Sequence, residues 1–319
     1  MGCGCSVKMM ALVGIVLLAL TIFGFLIGPI GSAIFHTKAP SFLAVTAPQV
    51  ELPSEGIFHI SSLFTITNTL IASWLTIIVL VLLFYFATRK MKLIPGGLQN
   101  FAEFIIETLL NFVKGVAGEK HARTLLPIVA TIFLYVLTNA WMALLPFFGS
   151  IGITEHSGTF LPFLRAANTD INLTLSIALV SFVMVEYWGL RSLGSFRYLK
   201  SFFNIGQLRD GFKSLFKGKI RPAFSGIFFG FINLFIGGIE ILSHFIRIIS
   251  FTFRLFGNMT AGEILLLVVT FLVPFVVSIG VYGLELLVGV LQALIFAGLT
   301  LVFGVIAMAP HEEEPERAN

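Results

Sequence analysis

Arg254 stands in the middle of a long apolar segment of this chain. Between Ile227 and Val277 the only charged or titratable side chains are Glu240, His244, Arg247, Arg254 and Glu263. An arginine at membrane depth costs roughly 2.5–3.5 kcal/mol on insertion scales, so it normally faces a protein interior or a water-filled cavity. The alternative is that Arg254 snorkels to a lipid headgroup, which needs a nearby interface. The pattern favours a residue that handles charge inside a membrane.

Polar residues follow this arginine in both directions. Glu240, Arg247 and Arg254 are spaced by seven residues, so they lie near one face of a helix. Along such a helix Glu240 is about 21 Å from Arg254 on one side, and Glu263 is about 13 Å away on the other. Three uncharged polar side chains in this stretch are further candidates: Ser243, Ser250 and Asn258.

The last apolar segment also contains two polar residues at helical spacing. Glu285 and Gln292 are seven residues apart and share one helix face, with a separation of about 10 Å along the axis. If Gln292 lies beside Arg254 in a helix hairpin, Glu285 and Glu263 come to similar depth. Two neighbouring carboxylates do not both ionise at low cost, so such a pair could pass protons on. The alternative is a structural polar pair that holds the hairpin together.

Composition defines the class of protein that carries these residues. The chain has 57% hydrophobic and 11% charged residues and a mean hydropathy of +0.99. A soluble domain carries about 25% charged residues. We therefore predict an all-α polytopic membrane protein with about six membrane helices, one interfacial amphipathic helix and a long, tilted C-terminal helix hairpin. The predicted spans are 9–35, 68–88, 125–148, 170–189, 223–268 and 275–310.

Two predicted elements differ from an ordinary span. Residues 98–123 alternate apolar and polar faces at helical spacing, which predicts a helix lying along the membrane interface. As single helices, 223–268 and 275–310 would be about 69 Å and 54 Å long, against a hydrocarbon core of about 30 Å. They must tilt, bend or begin outside the core. We divide the chain into N-terminal spans with an external loop, 1–92, and a channel domain, 93–319, with its hairpin at 223–308.

Basic residues indicate the orientation. Residues 191–221 hold eight Lys or Arg and one acid, which places this loop and both termini in the cytoplasm. The loops at 36–67 and 149–169 carry only Lys38 and Arg165, and we expect them outside. The first apolar run, 9–35, is too long for a signal-peptide core and is interpreted as an uncleaved span, with a removed signal anchor as the alternative.

The run from Arg254 to Glu263, Arg-Leu-Phe-Gly-Asn-Met-Thr-Ala-Gly-Glu, resembles the signature of subunit a of the rotary F-type ATP synthases. That subunit is the stator half of a proton channel. The resemblance extends from about Leu93 to Met308, and no recognisable motif covers the N-terminal region before residue 60. It implies that Arg254 is an indispensable gate between two half-channels, in a hairpin that wraps the rotor.

The resemblance also assigns residues to the proton path. Asn258, Glu263, Glu285 and Gln292 match positions implicated in proton movement. Many bacterial relatives have histidine at the position of Glu285, which leaves a proton relay there but changes its titration. The remaining candidates resemble the lining of the cytoplasmic half-channel or the neighbouring hairpin, and they are Glu240, Ser243, Ser250, Asn139 and Asp170. Asp170 could instead cap the span that follows it.

Partners and location are implied by the same resemblance. They are the c-ring of the rotor, the b subunits of the peripheral stalk, the soluble F1 sector indirectly, and the lipid bilayer. We expect no cofactor, metal or nucleic acid, and no catalytic site in this chain, because the sequence has no Walker A motif. The expected location is a bacterial plasma membrane, with an organellar inner membrane as the alternative.

Other classes of membrane protein fit less well. An ion-coupled secondary transporter could use Arg254 to bind an anionic substrate, but it would more often show an internal repeat with broken helices. A b-type cytochrome needs paired axial histidines on facing helices. Of the six histidines, only His244 falls in a predicted span. A passive scaffold would not need an arginine and several glutamates at membrane depth.

Overall fold

The computed structural model describes residues 3–35, 54–61, 64–154, 160–194, 213 and 220–309. Within these ranges the chain forms seven α-helices: α1 Cys3–Ile27, α2 Pro29–Phe35, α3 Asn68–Thr88, α4 Leu98–Ala143, α5 Ile171–Leu193, α6 Ile220–Leu272 and α7 Val276–Met308. All except α2 are long and apolar enough to cross a membrane. The prediction of an all-α polytopic membrane protein is confirmed.

The predicted first span is divided in the structure. Instead of one helix over 9–35, α1 ends at Ile27 and α2 begins at Pro29. Proline lacks an N–H and its ring clashes with the preceding turn, so it breaks a helix interior but is tolerated at a first helical position. The Gly28–Pro29 pair therefore separates the apolar run into two helices.

The two elements predicted at 98–123 and 125–148 are joined in α4. Their division lies at Gly118, whose φ of 71° and ψ of 166° are not helical. Glycine adopts positive φ at low cost because it has no Cβ. The helical segment before Gly118 contains the amphipathic pattern, and its position along a membrane interface stays a prediction.

Both loops expected outside the membrane contain short strands. Strand β1 (Gly56–Ser61) pairs antiparallel with β2 (Phe64–Thr67), and β3 (Gly152–Thr154) pairs with β4 (Phe160–Pro162). A single 3₁₀ turn, Ala167–Thr169, then leads into α5. These loops were predicted as irregular, although the apolar–polar alternation of β2 is a strand signal.

The two C-terminal helices are single and long. Helix α6 has 53 residues and α7 has 33 residues, which gives about 80 Å and 50 Å of helix. Pro274 and Phe275 stand between them, and Phe275 has a positive φ of 76°. The predicted lengths are confirmed to within a few residues at each end, and the tilt of these helices in a membrane stays a prediction.

The chain divides into two compact units. The first unit comprises Met1–Leu80, Tyr135–Asp170 and Leu255–Ala293, and the second comprises Val81–Leu134, Ile171–Arg254 and Leu294–Asn319. On α6 the boundary falls directly after Arg254. Each unit buries apolar side chains of its own, such as Val136 and Leu255 in the first and Leu125 and Leu301 in the second.

Candidate functional site

The first unit contains a buried polar cluster at the start of α3. Thr69 Oγ1 donates a hydrogen bond of 2.7 Å to Asp170 Oδ2, and both residues are buried. Asn68 Nδ2 lies 3.4 Å from both Glu55 Oε2 and the carbonyl oxygen of Pro162. The helix begins here because the Thr67 hydroxyl accepts the backbone N–H of Leu70, as an N-cap residue does. The predicted site residue Asp170 thus has a hydroxyl partner 101 positions away in the chain.

Asn139 continues this cluster from α4. Its Nδ2 donates to Thr76 Oγ1 at 2.9 Å, and its Oδ1 accepts the backbone N–H of Asn168 at 3.1 Å. Asn168 Nδ2 donates in turn to the carbonyl oxygen of Val136 at 3.1 Å. Asn139, Thr76 and Asn168 have no exposed surface. Buried polar groups are almost always hydrogen-bonded, and this arrangement satisfies both ends of the Asn139 amide.

Glu263, on α6, forms an ion pair in the same unit. Arg165 Nε and Nη2 donate to the two carboxylate oxygens of Glu263, each at 3.2 Å. The side chains are 11% and 31% exposed, respectively. Sequence reasoning singled out Glu263 but not Arg165, which it used only as a loop charge. A charged group within a membrane segment is expected to have such a partner.

The carboxylate of Glu285 lies against Gly262 of α6, the residue before Glu263. Glu285 lies on α7 with 6% of its surface exposed. A Cβ placed on Gly262 would overlap the Glu285 carboxylate, so the carboxylate lies directly against the Gly262 backbone. The structure therefore brings Glu285 to the segment that carries Glu263. Gln292, two turns further along α7, is also buried.

The second unit holds the other charged residues of α6. Arg254 is half-buried, and its Nη2 lies 3.4 Å from Ser250 Oγ, one turn earlier. The guanidinium of Arg247 stacks on the Phe303 ring, 3.6 Å from its centroid. Such stacking stabilises a cation that is partly removed from water. Arg254 and Arg247 are thus two of the few basic side chains of α6.

Among the described residues, the structure shows no hydrogen bond or ion pair for five predicted site residues: Glu240, Ser243, Asn258, Glu285 and Gln292. Glu240 is half-buried, whereas Ser243 and Asn258 are exposed. In a chain whose apolar helix faces are exposed as well, such positions are available to water, lipid or a partner subunit. Across the described ranges, no three His, Cys, Asp or Glu side chains are close enough to hold a metal ion.

Several polar residues were not among the candidates from sequence. They are Asn68, Thr69, Thr76, Asn168, Arg165 and Glu186. Their common signal is a polar side chain at or next to an apolar run. Hydroxyl and amide residues are frequent in membrane helices, so this signal alone does not separate a network from an isolated hydroxyl bonded to its own helix.

Six apolar helices with carboxylates, amides and an arginine among them define a multi-pass membrane protein with ionisable groups at depth. The family described as ATP synthase A chain matches residues 70–304. The chain is 30% identical over 264 residues to ATP synthase subunit a of Gloeobacter violaceus, covering 83% of this chain and 93% of that protein. It is 32% identical over 263 residues to the Helicobacter hepaticus protein of the same name, covering 81% and 99%.

A third relative, ATP synthase subunit a of Helicobacter pylori, is 30% identical over 250 residues, which cover 77% of this chain and 93% of that protein. The chain belongs to the ATP synthase subunit a family. The resemblance noted at Arg254–Glu263 is therefore confirmed. The family match includes every candidate site residue, whereas α1 and α2 lie before it.

Proposed function

We propose that this chain is the proton-translocating subunit a of a rotary ATP synthase and that it provides two offset half-channels separated by Arg254. The observation that carries the proposal is the half-buried guanidinium of Arg254 on α6. Arg254 is the last residue of α6 that belongs to the second unit. Each unit has its own set of ionisable residues. Membership of the subunit a family supports a role for both sets in proton translocation.

The entry half-channel is assigned to residues of the first unit. Glu263 and Glu285 are carboxylates near one segment of α6, and Asn258 lies exposed on the same helix. The buried cluster around Asn139 and Asp170 supports this side of the path by fixing α3 and α4. A proton entering from outside passes these groups and neutralises a carboxylate of a rotor subunit.

The release half-channel is assigned to the part of α6 before Arg254. A neutralised rotor site can turn through lipid, where a charged one would be too costly. After a near-complete turn it reaches the region of Glu240, Ser243 and Ser250 and loses its proton to the cytoplasm. A guanidinium stays protonated at any working pH. Arg254 therefore repels protons, favours the ionised rotor carboxylate and prevents direct leakage between the half-channels.

The energetics require partners. Each proton crossing about 100 mV delivers about 2.3 kcal/mol, so several protons are needed for each ATP. The rotor c-ring carries the protons, the peripheral stalk b subunits hold this chain still, and the soluble F1 sector makes ATP. The basic loop at 191–221 supports a cytoplasmic location for both termini. The membrane assigned here is a bacterial plasma membrane, with an organellar inner membrane as the alternative.

The decisive experiment is ATP-driven proton pumping in membrane vesicles that carry Arg254→Ala. We expect pumping to be lost while assembly and ATP hydrolysis by the soluble sector remain. Arg254→Lys tests whether charge alone suffices, and Glu240→Gln tests the release side. Arg191→Ala removes an exposed arginine of α5 that contacts Tyr187 and is the matched control. Normal pumping with Arg254→Ala would return this residue to a structural or snorkelling role.

A further inference from the structure

Helices α5 and α6 of the second unit are joined by an imidazole–carboxylate pair. His244 Nδ1 lies 2.8 Å from Glu186 Oε1, and the two side chains are 16% and 21% exposed, respectively. His244 stands between Glu240 and Arg254 on α6, four and ten residues from them. This pair therefore lies within the stretch of helix assigned above to proton release.

An aromatic ring and a small, mostly apolar cavity lie close to the pair. The Phe182 ring meets His244 edge-on, with 5.9 Å between ring centroids. A small cavity lies beside Phe182, and Ser181 and Arg247 also line it. Its size suits about one water molecule, and most of its lining is apolar.

The charged groups around the pair come from two helices. Glu186 is the titratable partner from α5, and Glu240 and Arg247 flank His244 on α6. Helix α7 contributes Phe303 through Arg247, and it has no titratable side chain after Glu285. The pair thus combines one exchangeable imidazole with one carboxylate, beside a fixed cation.

We infer that His244 and Glu186 form a proton-transfer pair on the release side, an inference that rests on the proposed proton-translocating function. Histidine is the side chain whose ordinary proton exchange falls between about pH 5 and 8. A positioned carboxylate within hydrogen-bond distance both orients the ring and takes a proton from it. A purely structural link between helices does not require ionisable groups, as the 2.7 Å bond between Ser181 and Thr300 in the same unit demonstrates.

The transfer conserves protons at each step. The imidazole accepts one proton at Nε2, from water on the rotor side, and becomes a cation. It gives up the proton at Nδ1 to the Glu186 carboxylate, which becomes a neutral acid and then releases that proton to water. The ring is then left as its Nε2–H tautomer. It returns to the Nδ1–H tautomer by giving the Nε2 proton to water and taking one at Nδ1 from water on the same side of the membrane, a step that transfers no net proton. Arg247 keeps the local charge positive and so favours release over accumulation of protons.

The test is passive proton flux through the complete membrane sector of the assembled synthase, in vesicles stripped of the soluble sector, between about pH 5 and 8. The variants are His244→Ala, His244→Lys and Glu186→Gln, and Tyr187→Phe on α5 is the control. We expect His244→Ala and Glu186→Gln to lower the flux roughly tenfold or more. Added imidazole should raise the flux of His244→Ala, and Tyr187→Phe should keep the wild-type pH profile.

His244→Lys separates a transfer role from a structural one. Lysine keeps a cation beside Glu186 but exchanges its proton poorly near neutral pH. An assembled His244→Lys complex with low flux supports the inference, whereas one with wild-type flux and pH profile overturns it. An imidazole-insensitive His244→Ala complex overturns it as well. Arg254→Ala, measured in parallel, shows whether the proposed function itself holds, since its loss of pumping does not depend on His244.

Discussion

Arg165 and Glu263 are joined by three hydrogen bonds across 98 positions of sequence. The arginine follows strand β4, and the glutamate lies in the membrane-spanning part of α6. A guanidinium that meets both oxygens of a carboxylate fixes its orientation as well as its charge. The first unit therefore holds Glu263 in one position, although this residue is a candidate to receive and release protons.

The first prediction concerns this ion pair. Arg165→Gln removes the partner of Glu263 and leaves the carboxylate with the wrong orientation and an uncompensated charge. We expect ATP-driven proton pumping to fall with the complex still assembled. The double exchange Arg165→Glu with Glu263→Arg should recover part of the thermal stability that the single exchanges lose. A double-mutant cycle on thermal stability should give a coupling of roughly 0.5–3 kcal/mol.

Lys114→Gln provides the matched control for that prediction. Lys114 and Glu119 also form an ion pair, at 3.7 Å, but their side chains are 38% and 89% exposed. Exposed pairs contribute about 0–1 kcal/mol, so this variant should pump normally. Equal losses in Arg165→Gln and Lys114→Gln would mean that pumping responds to surface charge in general, and the specific role of Arg165 would be refuted.

The candidate site residues could be selected from the sequence because charge is rare in this chain. Arg254, Glu263 and Glu285 are rare charged residues within apolar runs. The spacing of seven residues predicts that Glu240 shares a helix face with Arg254, and that Gln292 shares one with Glu285. The partners were not predictable in the same way. Arg165 and Asn168 are far from Glu263 and Asn139 in sequence, and helical spacing carries no information about contacts between distant segments.

For the fold as well, the sequence predicted some features and missed others. Lengths of apolar runs predicted α3, α5, α6 and α7 well, because a span needs a continuous apolar stretch. The breaks at Gly28 and Gly118 were missed, since the apolar pattern continues through the first and changes only gradually after the second. Glycine can interrupt a helix because it has no Cβ and adopts backbone conformations that other residues avoid. A hydropathy pattern contains no information about backbone conformation.

The second prediction tests the approach of Glu285 to α6. Gly262→Ala places a methyl group where the Glu285 carboxylate lies, so one of the two must move. We expect slower proton flux with assembly preserved, because the carboxylate shifts away from the segment that carries Glu263. Gly115→Ala in α4 makes the same exchange in open space and should be neutral. Unchanged flux through the Gly262→Ala complex would show that this approach has no part in conduction.

The third prediction concerns the buried amide of Asn139. Asn139→Ala leaves the Asn168 N–H without its acceptor and removes the bond to Thr76. A buried group left unpaired costs about 1–3 kcal/mol, so the thermal unfolding temperature of the purified complex should fall. Asn111→Ala changes an exposed asparagine of the same helix and should leave it unaltered. If both variants unfold at the wild-type temperature, the network does not stabilise this unit.

The fourth prediction addresses helix α1, which lies outside the family match. The helix is apolar around most of its surface, yet Gly24 and Gly28 lie directly against the backbone at Pro274 and Leu272. A side chain at either glycine would overlap a carbonyl oxygen there. Small residues allow such close approach between membrane segments. Helix α1 therefore packs on the connection between α6 and α7 in the first unit.

Gly28→Leu should separate α1 from this connection, whereas Gly14→Leu, which meets nothing within 4 Å, should not. The measurement is disulfide formation between Phe23→Cys and Phe275→Cys, whose native rings lie 6.5 Å apart, with Cys3 and Cys5 changed to serine. We expect the yield to drop in Gly28→Leu and to persist in Gly14→Leu. A high yield in both would mean that α1 stays docked without close glycine packing. Since the contact fixes the turn between α6 and α7, its loss should also lower the thermal stability of the assembled complex.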